Sequence, residues 1–225
     1  MKKLLLASVA AIGLAFAGPA LAGDNQSQID QLQTGNNAEV QQLGTNGRAY
    51  GGQNGNGNLL RQNQSGQGGR VDSRQNGDRN QAYTNQYNAN DSRIDQLQTG
   101  NDNYANATQN NATGSSIRQE QTGTGHRATA TQDGVSNSSI TQRQYNGNGN
   151  QAVAYQGNVS SSFITQDQSG SNNYAESSQI NSSGSGATIN QIGTGNQGYT
   201  DQQGATNFAT INQNGTNNYT RITQR

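Results

Sequence analysis

Glutamine side chains recur along this chain at a fixed beat, and the chemistry they offer is hydrogen bonding rather than bond cleavage. Gln33, Gln42, Gln53, Gln64, Gln75, Gln86, Gln98, Gln109, Gln121, Gln132, Gln144, Gln156, Gln168, Gln179, Gln191, Gln202, Gln213 and Gln224 follow one another at 11 or 12 residues after a first step of nine. Each primary amide carries two N–H donors and an acceptor oxygen, so glutamines held at one depth in successive layers can donate to one another in file. Residue types that cut or transfer bonds are scarce. His126 is the sole histidine and there is no cysteine, which leaves no second ligand or base to complete a site around it. Asp72, Asp78, Asp91 and Asp102 fall near expected turns. The nine-residue glycine-rich calcium repeat is absent, so these acids read as solvated charge. A lyase on a β-helix would need carboxylates or bases converging on one groove, whereas the acids here are scattered over both faces. No enzyme, cofactor or metal site is expected.

Each clock glutamine closes a cassette. Four residues before it stands a small or apolar residue: Ile29, Ala38, Ala49, Leu60, Val71, Ala82, Ile94, Ala105, Ile117, Ala128, Ile140, Ala152, Ile164, Ala175, Ala187, Gly198, Ala209 and Thr220. Between Ile94 and Ala175 the cassettes alternate in kind. Odd ones read Ser-x-Ile-x-Gln-x-Gln and add Gln96, Gln119, Gln142 and Gln166; even ones read Asn-x-Ala-x-x-x-Gln and add Asn103, Asn150 and Asn173, with His126 in one Asn place. The repeat is therefore a pair of about 23 residues occurring nine times, the signature of an architecture in which each unit buries its face only against its neighbours. These central residues are the expected self-assembly core, and Gly100, Gly123, Gly147 and Gly170 the expected turn glycines.

Positioning such a file requires strands. The fixed residues of a cassette sit at even offsets from the apolar position, and residues two apart on a strand share a face. All nine tyrosines, and both phenylalanines beyond the first 22 residues, Phe163 and Phe208, fall at odd offsets, as do the charges from Asp30 to Arg225 apart from Asp78. Helix is excluded by this parity. Each cassette is a strand of about five to seven residues, roughly 17 to 23 Å long. A short turn in which glycine takes positive φ follows it. Strand, turn, strand, turn makes one rectangular coil of a two-sheet β-solenoid, odd strands in one sheet and even strands in the other, and nine coils stack to roughly 40 Å. Large side chains on the odd wall face small ones on the even wall, as in a steric zipper. Outside, Glu120, Arg143 and Asp167 align at one offset and Asp95 and Arg118 at another; such pairs fix register more than they stabilise.

Composition sets further bounds. With 28% hydrophobic residues the chain cannot fill an ordinary globular core. With 12% charged residues it lacks the charge that keeps disordered chains apart, and polar tracts of this kind are β-prone. Pro19 is the single proline, so nothing after it forbids a hydrogen-bonded ladder. Residues 1–22 read as a cleaved secretory signal: Lys2 and Lys3, an apolar run from Leu4 to Phe16, then Ala20-Leu21-Ala22. A short segment 23–26 follows, and 27–225 form the solenoid. Removing both lysines with the signal leaves 11 arginines against 13 acidic groups, a difference of −2, so no nucleic acid is required as a partner. Without cysteine no disulfide framework supports the exported protein, and no stable membrane insertion is expected.

The paired cassette, nearly whole from Ser92 to Gln109 and from Ser162 to Gln179, resembles the curlin repeat of bacterial curli fibres, and the likeness runs over residues 27 to 224. The resemblance implies a subunit secreted across the inner membrane of a Gram-negative bacterium and passed through a dedicated outer-membrane channel with accessory factors. It then polymerises at the cell surface into a functional amyloid fimbrium for adhesion and biofilm matrix. A second curlin is the implied partner. The near-ideal central repeats resemble the major subunit; the ending Thr220-Arg221-Ile222-Thr223-Gln224-Arg225 resembles the minor, nucleating one. A familiar curlin carries about twenty polar residues before its first repeat, where this chain has only Gly23 to Gln26. The repeats leave no segment to cap either end, so head-to-tail growth through Ile29, Gln33, Glu39, Gln42, Gln213, Arg221 and Gln224 is expected, with Arg221 set beside Glu39. A capped binding solenoid, adhesive or ice-binding, is the other class; it calls for a flat array such as repeated Thr, which the sequence does not display.

Overall fold

Alternating inward and outward residues, punctuated by glycine, fold here into strands alone. The computed structural model describes residues 24–225, and the signal segment expected at 1–22 lies outside them. One sheet consists of β1 (Gln26–Leu32), β3 (Arg48–Asn54), β5 (Arg70–Asn76), β7 (Arg93–Asn101), β9 (Ser116–Thr124), β11 (Ser139–Asn148), β13 (Phe163–Ser171), β15 (Gly186–Thr194) and β17 (Phe208–Thr216). The other holds β2 (Asn37–Thr45), β4 (Leu59–Gln67), β6 (Gln81–Tyr87), β8 (Tyr104–Asn110), β10 (Arg127–Asp133), β12 (Gln151–Gly157), β14 (Tyr174–Ile180), β16 (Gln197–Gln203) and β18 (Tyr219–Gln224). Every strand pairs in parallel with the strand two positions on in the chain, giving a two-walled β-solenoid of nine coils. The expected two-sheet architecture is the observed one.

Register follows the clock with one correction. From β3 onward each clock glutamine pairs with the next in its sheet, but in β1 it is Gln31, not Gln33, that pairs with Gln53, and Ile29 stands opposite Gly51. Gln33 lies past the strand with φ of 74°. Ile29 imitates the apolar place that Ser27 occupies, and a two-residue slip preserves parity, so the in-out pattern alone does not expose it. The anomalous step of nine is its trace; counted from Gln31 the first step is 11.

The walls fit by exchanging bulk. Ile94, Ile117, Ile140 and Ile164 of the odd sheet form one cluster with Ala107, Ala130 and Ala154 of the even sheet. Near the first coils the exchange reverses, Gly51 on the odd wall making room for Leu60, whereas near the last it keeps its sense: Gly198 on the even wall makes room for Ile189, whose Cγ2 lies 2.9 Å from where a Cβ would stand. Large against small in every such pair keeps the sheets close and dry.

The two corners of a coil differ, which a single turn pattern does not anticipate. After odd strands the chain turns at a column of glycines, Gly55, Gly77, Gly100, Gly123, Gly147, Gly170, Gly193 and Gly215, each but the last so close to the next that a Cβ would strike its backbone. After even strands the middle corners carry buried Ala89, Ala112, Val135 and Val159, a small second core. Just beyond them Asn90, Thr113, Ser136, Ser160 and Ser183 form single parallel bridges from coil to coil. These corners supply the 12-residue steps such as Gln86 to Gln98. The remaining long step, Gln144 to Gln156, coincides with a register shift between Gln144 and Gly147 in β11.

Gly100 has φ of 109° and faces the Gly123 carbonyl, whereas Gly184 has φ of 62° with no atom within 4 Å of a would-be Cβ. Gly100→Ala should lower unfolding free energy by about 3 kcal/mol and Gly184→Ala by about 1 kcal/mol, measured by denaturant titration.

Candidate functional site

The candidate site is the interior itself, and it is built from amides. Along the odd sheet Gln31, Gln53, Gln75, Gln98, Gln121, Gln144, Gln168, Gln191 and Gln213 form an unbroken file in which each Nε2 donates to the next Oε1 at 2.7 to 2.9 Å. Along the even sheet Gln42, Gln64, Gln86, Gln109, Gln132, Gln156, Gln179, Gln202 and Gln224 do the same at 2.8 to 2.9 Å. Every one of these bonds points the same way, from the earlier coil to the later. The second Nε2 proton crosses the interior: Gln98 donates to the Gln81 carbonyl at 3.0 Å, Gln121 to Tyr104 at 2.9 Å and Gln144 to Arg127 at 3.0 Å. A glutamine of the odd file thus ties its coil both to the next layer and to the opposite wall.

A third file is internal and closed at both ends. Gln96, Gln119, Gln142 and Gln166 donate in sequence at 2.9 Å. The Ser73 hydroxyl donates to the first acceptor at 3.3 Å, and the last amide ends on Ser177 Oγ at 3.1 Å and the Val153 carbonyl at 2.8 Å. Beyond it the position passes to Ile189. The two clock files have no such closure at their beginning: among the described residues no donor reaches Oε1 of Gln31 or Gln42.

The expected core residues all lie in this interior. Ile94, Ile117, Ile140, Ile164, Ala105, Ala128, Ala152, Ala175, Asn103, Asn150, Asn173 and the glutamines between Gln96 and Gln179 named above are at most 2% exposed. The end residues stand apart: Ile29, Gln42, Ile222 and Gln224 are only partly covered, and Glu39 and Arg221 are exposed. Four buried side-chain oxygens lack a partner among the described residues, Gln62 Oε1, Asp95 Oδ1, Ser182 Oγ and Thr200 Oγ1; Gln62 stands at the one place on the even sheet where a cassette has a second inward glutamine.

Asparagine does at the corner what glutamine does inside, a role that parity alone does not reveal. Asn36, Asn58, Asn80, Asn103, Asn150, Asn173 and Asn196 each accept with Oδ1 from the backbone N–H one coil on. Their Nδ2 groups donate to the glycine column, as Asn103 does to Gly123 at 3.0 Å and Asn173 to Gly193 at 2.9 Å. On the opposite corner the hydroxyls of Ser92, Ser115, Ser138, Ser162 and Ser185 accept from the next layer in the same manner. The recurrence of Asn and Ser two residues before the apolar position is the signal in the sequence.

His126 replaces one asparagine without breaking the file. Its Nδ1 accepts the Asn150 N–H at 3.2 Å, and Nε2 lies 3.2 Å from the Thr122 carbonyl, which fixes the proton on Nε2. The ring is 1% exposed, and this burial lowers its pKa below 6.5 despite the carbonyls that favour the charged form.

On the outer faces the aligned charges pair weakly. Arg143 reaches Glu120 at 3.5 Å and Asp167 at 3.4 Å. Asp95 and Arg118 are in register yet each pairs within its own strand, Asp95 with Arg93 at 2.5 Å and Arg118 with Glu120. Arg48, Arg70 and Arg93 stack like on like, as do Asp72 and Asp95. The in-strand pairs Arg70–Asp72 at 3.8 Å and Arg74–Asp72 at 3.1 Å offset that repulsion. The structure also aligns Thr141, Thr165, Thr188 and Thr210 on successive odd strands, a threonine row that the sequence does not make visible. It is one file wide, with Arg143, Asp167, Asn190 and Asn212 two residues on. Among the described residues no group of three or more His, Asp or Glu could hold a metal ion.

No family model matches this chain, and no curated protein matches it.

Gln121→Leu strands the donor of Gln98 and the acceptor of Gln144, and should destabilise the rod by about 3 kcal/mol, against about 1 kcal/mol for Gln224→Leu at its end, read as shifts in urea midpoint. The His126 contribution is whole above about pH 6.5 and is lost as pH falls below it, because the unfolded chain binds the proton more readily than the rod. The urea midpoint should therefore drop from about pH 7 to about pH 5, and His126→Asn should flatten that dependence.

Proposed function

We propose that this chain is a secreted structural subunit whose rods join end to end into an extracellular cross-β fibre of the curli type, serving adhesion and biofilm matrix. The observation that carries the reading is the one-way sense of the two clock files. Among the described residues the first coil offers the amide oxygens of Gln31 and Gln42 without a donor, and at the other end Gln224 donates only to the Phe208 carbonyl at 3.1 Å, leaving a proton for a further layer. An end that lacks donors and an end that has one to spare fit each other and not themselves.

Continuing the observed registers across a joint sets β17 on β1 and β18 on β2. Gln213, which here donates to the Gln197 carbonyl at 2.8 Å and to Thr220 Oγ1 at 3.3 Å, then turns the proton given to Thr220 towards Gln31, and Gln224 donates to Gln42. Ile211 meets Ile29, Ile222 meets Val40, and Arg221 stands beside Glu39. The corrected register improves this joint, because Ile29 finds an isoleucine rather than Ala209. Uncovered sheet edges of this kind template further strands unless charge or a covering segment prevents it. Arg221 in β18 and Arg225 just after it favour as a second reading a nucleator that starts another subunit's polymerisation.

Assembled material should give a meridional reflection near 4.8 Å, the strand spacing, and should seed its own elongation. In low salt Glu39→Arg should slow elongation several-fold, and adding Arg221→Glu in the same chain should restore it. Elongation of Glu39→Arg at the unmodified rate would refute the joint. A chain that never polymerises alone but abolishes another subunit's lag would place it as the nucleator.

A further inference from the structure

The outward tyrosines are not spread evenly. Tyr174, Tyr199 and Tyr219 zigzag over the last three even strands, with ring centroids 5.5 Å apart in both steps and planes tilted by 39° and 44°. Tyr83 and Tyr104 form a separate pair at 5.6 Å. Tyr87, Tyr145 and Tyr155 have no aromatic partner among the described residues. The zigzag arises because tyrosine alternates between two outward positions, Tyr174 and Tyr219 beginning their strands and Tyr199 standing two residues further in.

A second observation distinguishes this column. The Tyr174 hydroxyl donates to Glu176 Oε2 at 2.7 Å, and Glu176 is the register partner of Tyr199. A phenol loses an electron readily only as it loses its proton, and here a carboxylate already accepts the hydrogen bond that proton makes. The burial and hydrogen bond that raise the pKa of Tyr174 disfavour prior ionisation, so the transfer to Glu176 is the route left open. By contrast Tyr104 has the Arg127 guanidinium 4.6 Å above its ring, a cation that opposes withdrawal of an electron.

We propose that Tyr174, Tyr199 and Tyr219 form an oxidative cross-linking site, at which a one-electron oxidant of the peroxide-driven peroxidase class joins neighbouring coils through carbon–carbon bonds. The oxidant takes one electron from Tyr174 as its phenolic proton passes to Glu176, and a second electron from Tyr199, whose proton goes to solvent. The two phenoxyl radicals couple at ring carbons ortho to oxygen, and the hydrogens of the coupled carbons return as protons to the phenolic oxygens. Two electrons and two protons leave in all, and one hydrogen peroxide accepts them to become two waters. Tyr199–Tyr219 coupling follows the same balance. The bond ties consecutive coils of one chain, so it restrains the terminal coils from fraying by closing loops in the unfolded chain. It requires the fold and does not depend on assembly: beyond Tyr219 the next layer of a joined rod would present Asn37 and Glu39.

The folded full-length chain, treated with hydrogen peroxide and a haem peroxidase at neutral pH, tests this by peptide mapping. Tyr174–Tyr199 and Tyr199–Tyr219 peptides, each lighter by two hydrogens, should exceed Tyr83–Tyr104 and every pair containing Tyr87, Tyr145 or Tyr155 by several-fold. Tyr199→Phe should abolish both products while the yield of Tyr83–Tyr104 stays unchanged. Glu176→Gln should slow Tyr174 coupling roughly tenfold, equivalent to about 1.4 kcal/mol of lost proton acceptance, again without effect on Tyr83–Tyr104. Cross-links scattered over all tyrosines as in the urea-unfolded chain, cross-links chiefly between molecules, or an unaltered Glu176→Gln rate would each overturn the proposal.

Discussion

A buried primary amide must find partners for two protons and an oxygen, and in this rod it can do so only through a copy of itself one layer away. An unpaired amide in an apolar interior costs several kcal/mol. The apolar part of the core, one branched side chain against an alanine in each middle coil, is too thin to absorb many such losses. Glutamine in file converts that liability into continuity, because each inner side chain donates along the axis while accepting from the layer before, and from Gln53 onward those of the odd sheet also donate across the interior. The requirement then propagates: identical depth demands identical register, identical register demands equal strands, and equal strands demand corners of nearly constant length. Asn at one corner and Ser at the other repeat the solution wherever a backbone N–H would be left over.

Departures from strict repetition show what the constraint permits. His126 is accepted in an asparagine file because one ring nitrogen can accept and the other donate, as an amide does, although the ring alone among these groups can take up a proton near neutral pH. The short internal file from Gln96 to Gln166 closes on serine hydroxyls at both ends, so the coils beyond it can be apolar at Ile189 and Ile211. Gln62, introduced where no file exists, leaves an oxygen unpartnered. Like charges stacked outside are offset within their own strands, since solvent tolerates there what the interior does not.

Much of this architecture is legible in the order of the residues. Parity puts every tyrosine outside and the clock glutamines from Gln42 onward inside, and alternation of cassette type separates the two sheets. What escapes is finer than parity. Ile29 has the look of the apolar member of the first cassette, and a slip of two residues leaves the in-out pattern intact, so only pairing with β3 reveals Gln31 as the true first rung. The 11- and 12-residue steps pass for scatter in the sequence, yet the longer ones mark the corners that bury Ala89, Ala112, Val135 and Val159, and one marks the irregularity in β11. The tyrosine column and the threonine row stay hidden because their members lie far apart in the chain and are brought together by stacking alone.

The common sense of the glutamine bonds has an electrical side. In a parallel sheet the backbone dipoles largely cancel, because successive N–H groups point to opposite neighbours. The side-chain amides do not cancel; all of those in the two long files are aimed along one axis. The rod therefore possesses a permanent moment carried by side chains, negative where Gln31 and Gln42 begin and positive where Gln213 and Gln224 end, comparable in origin to the macrodipole of a helix. Two such rods lying side by side would attract when they run in opposite directions and repel when they run in the same one.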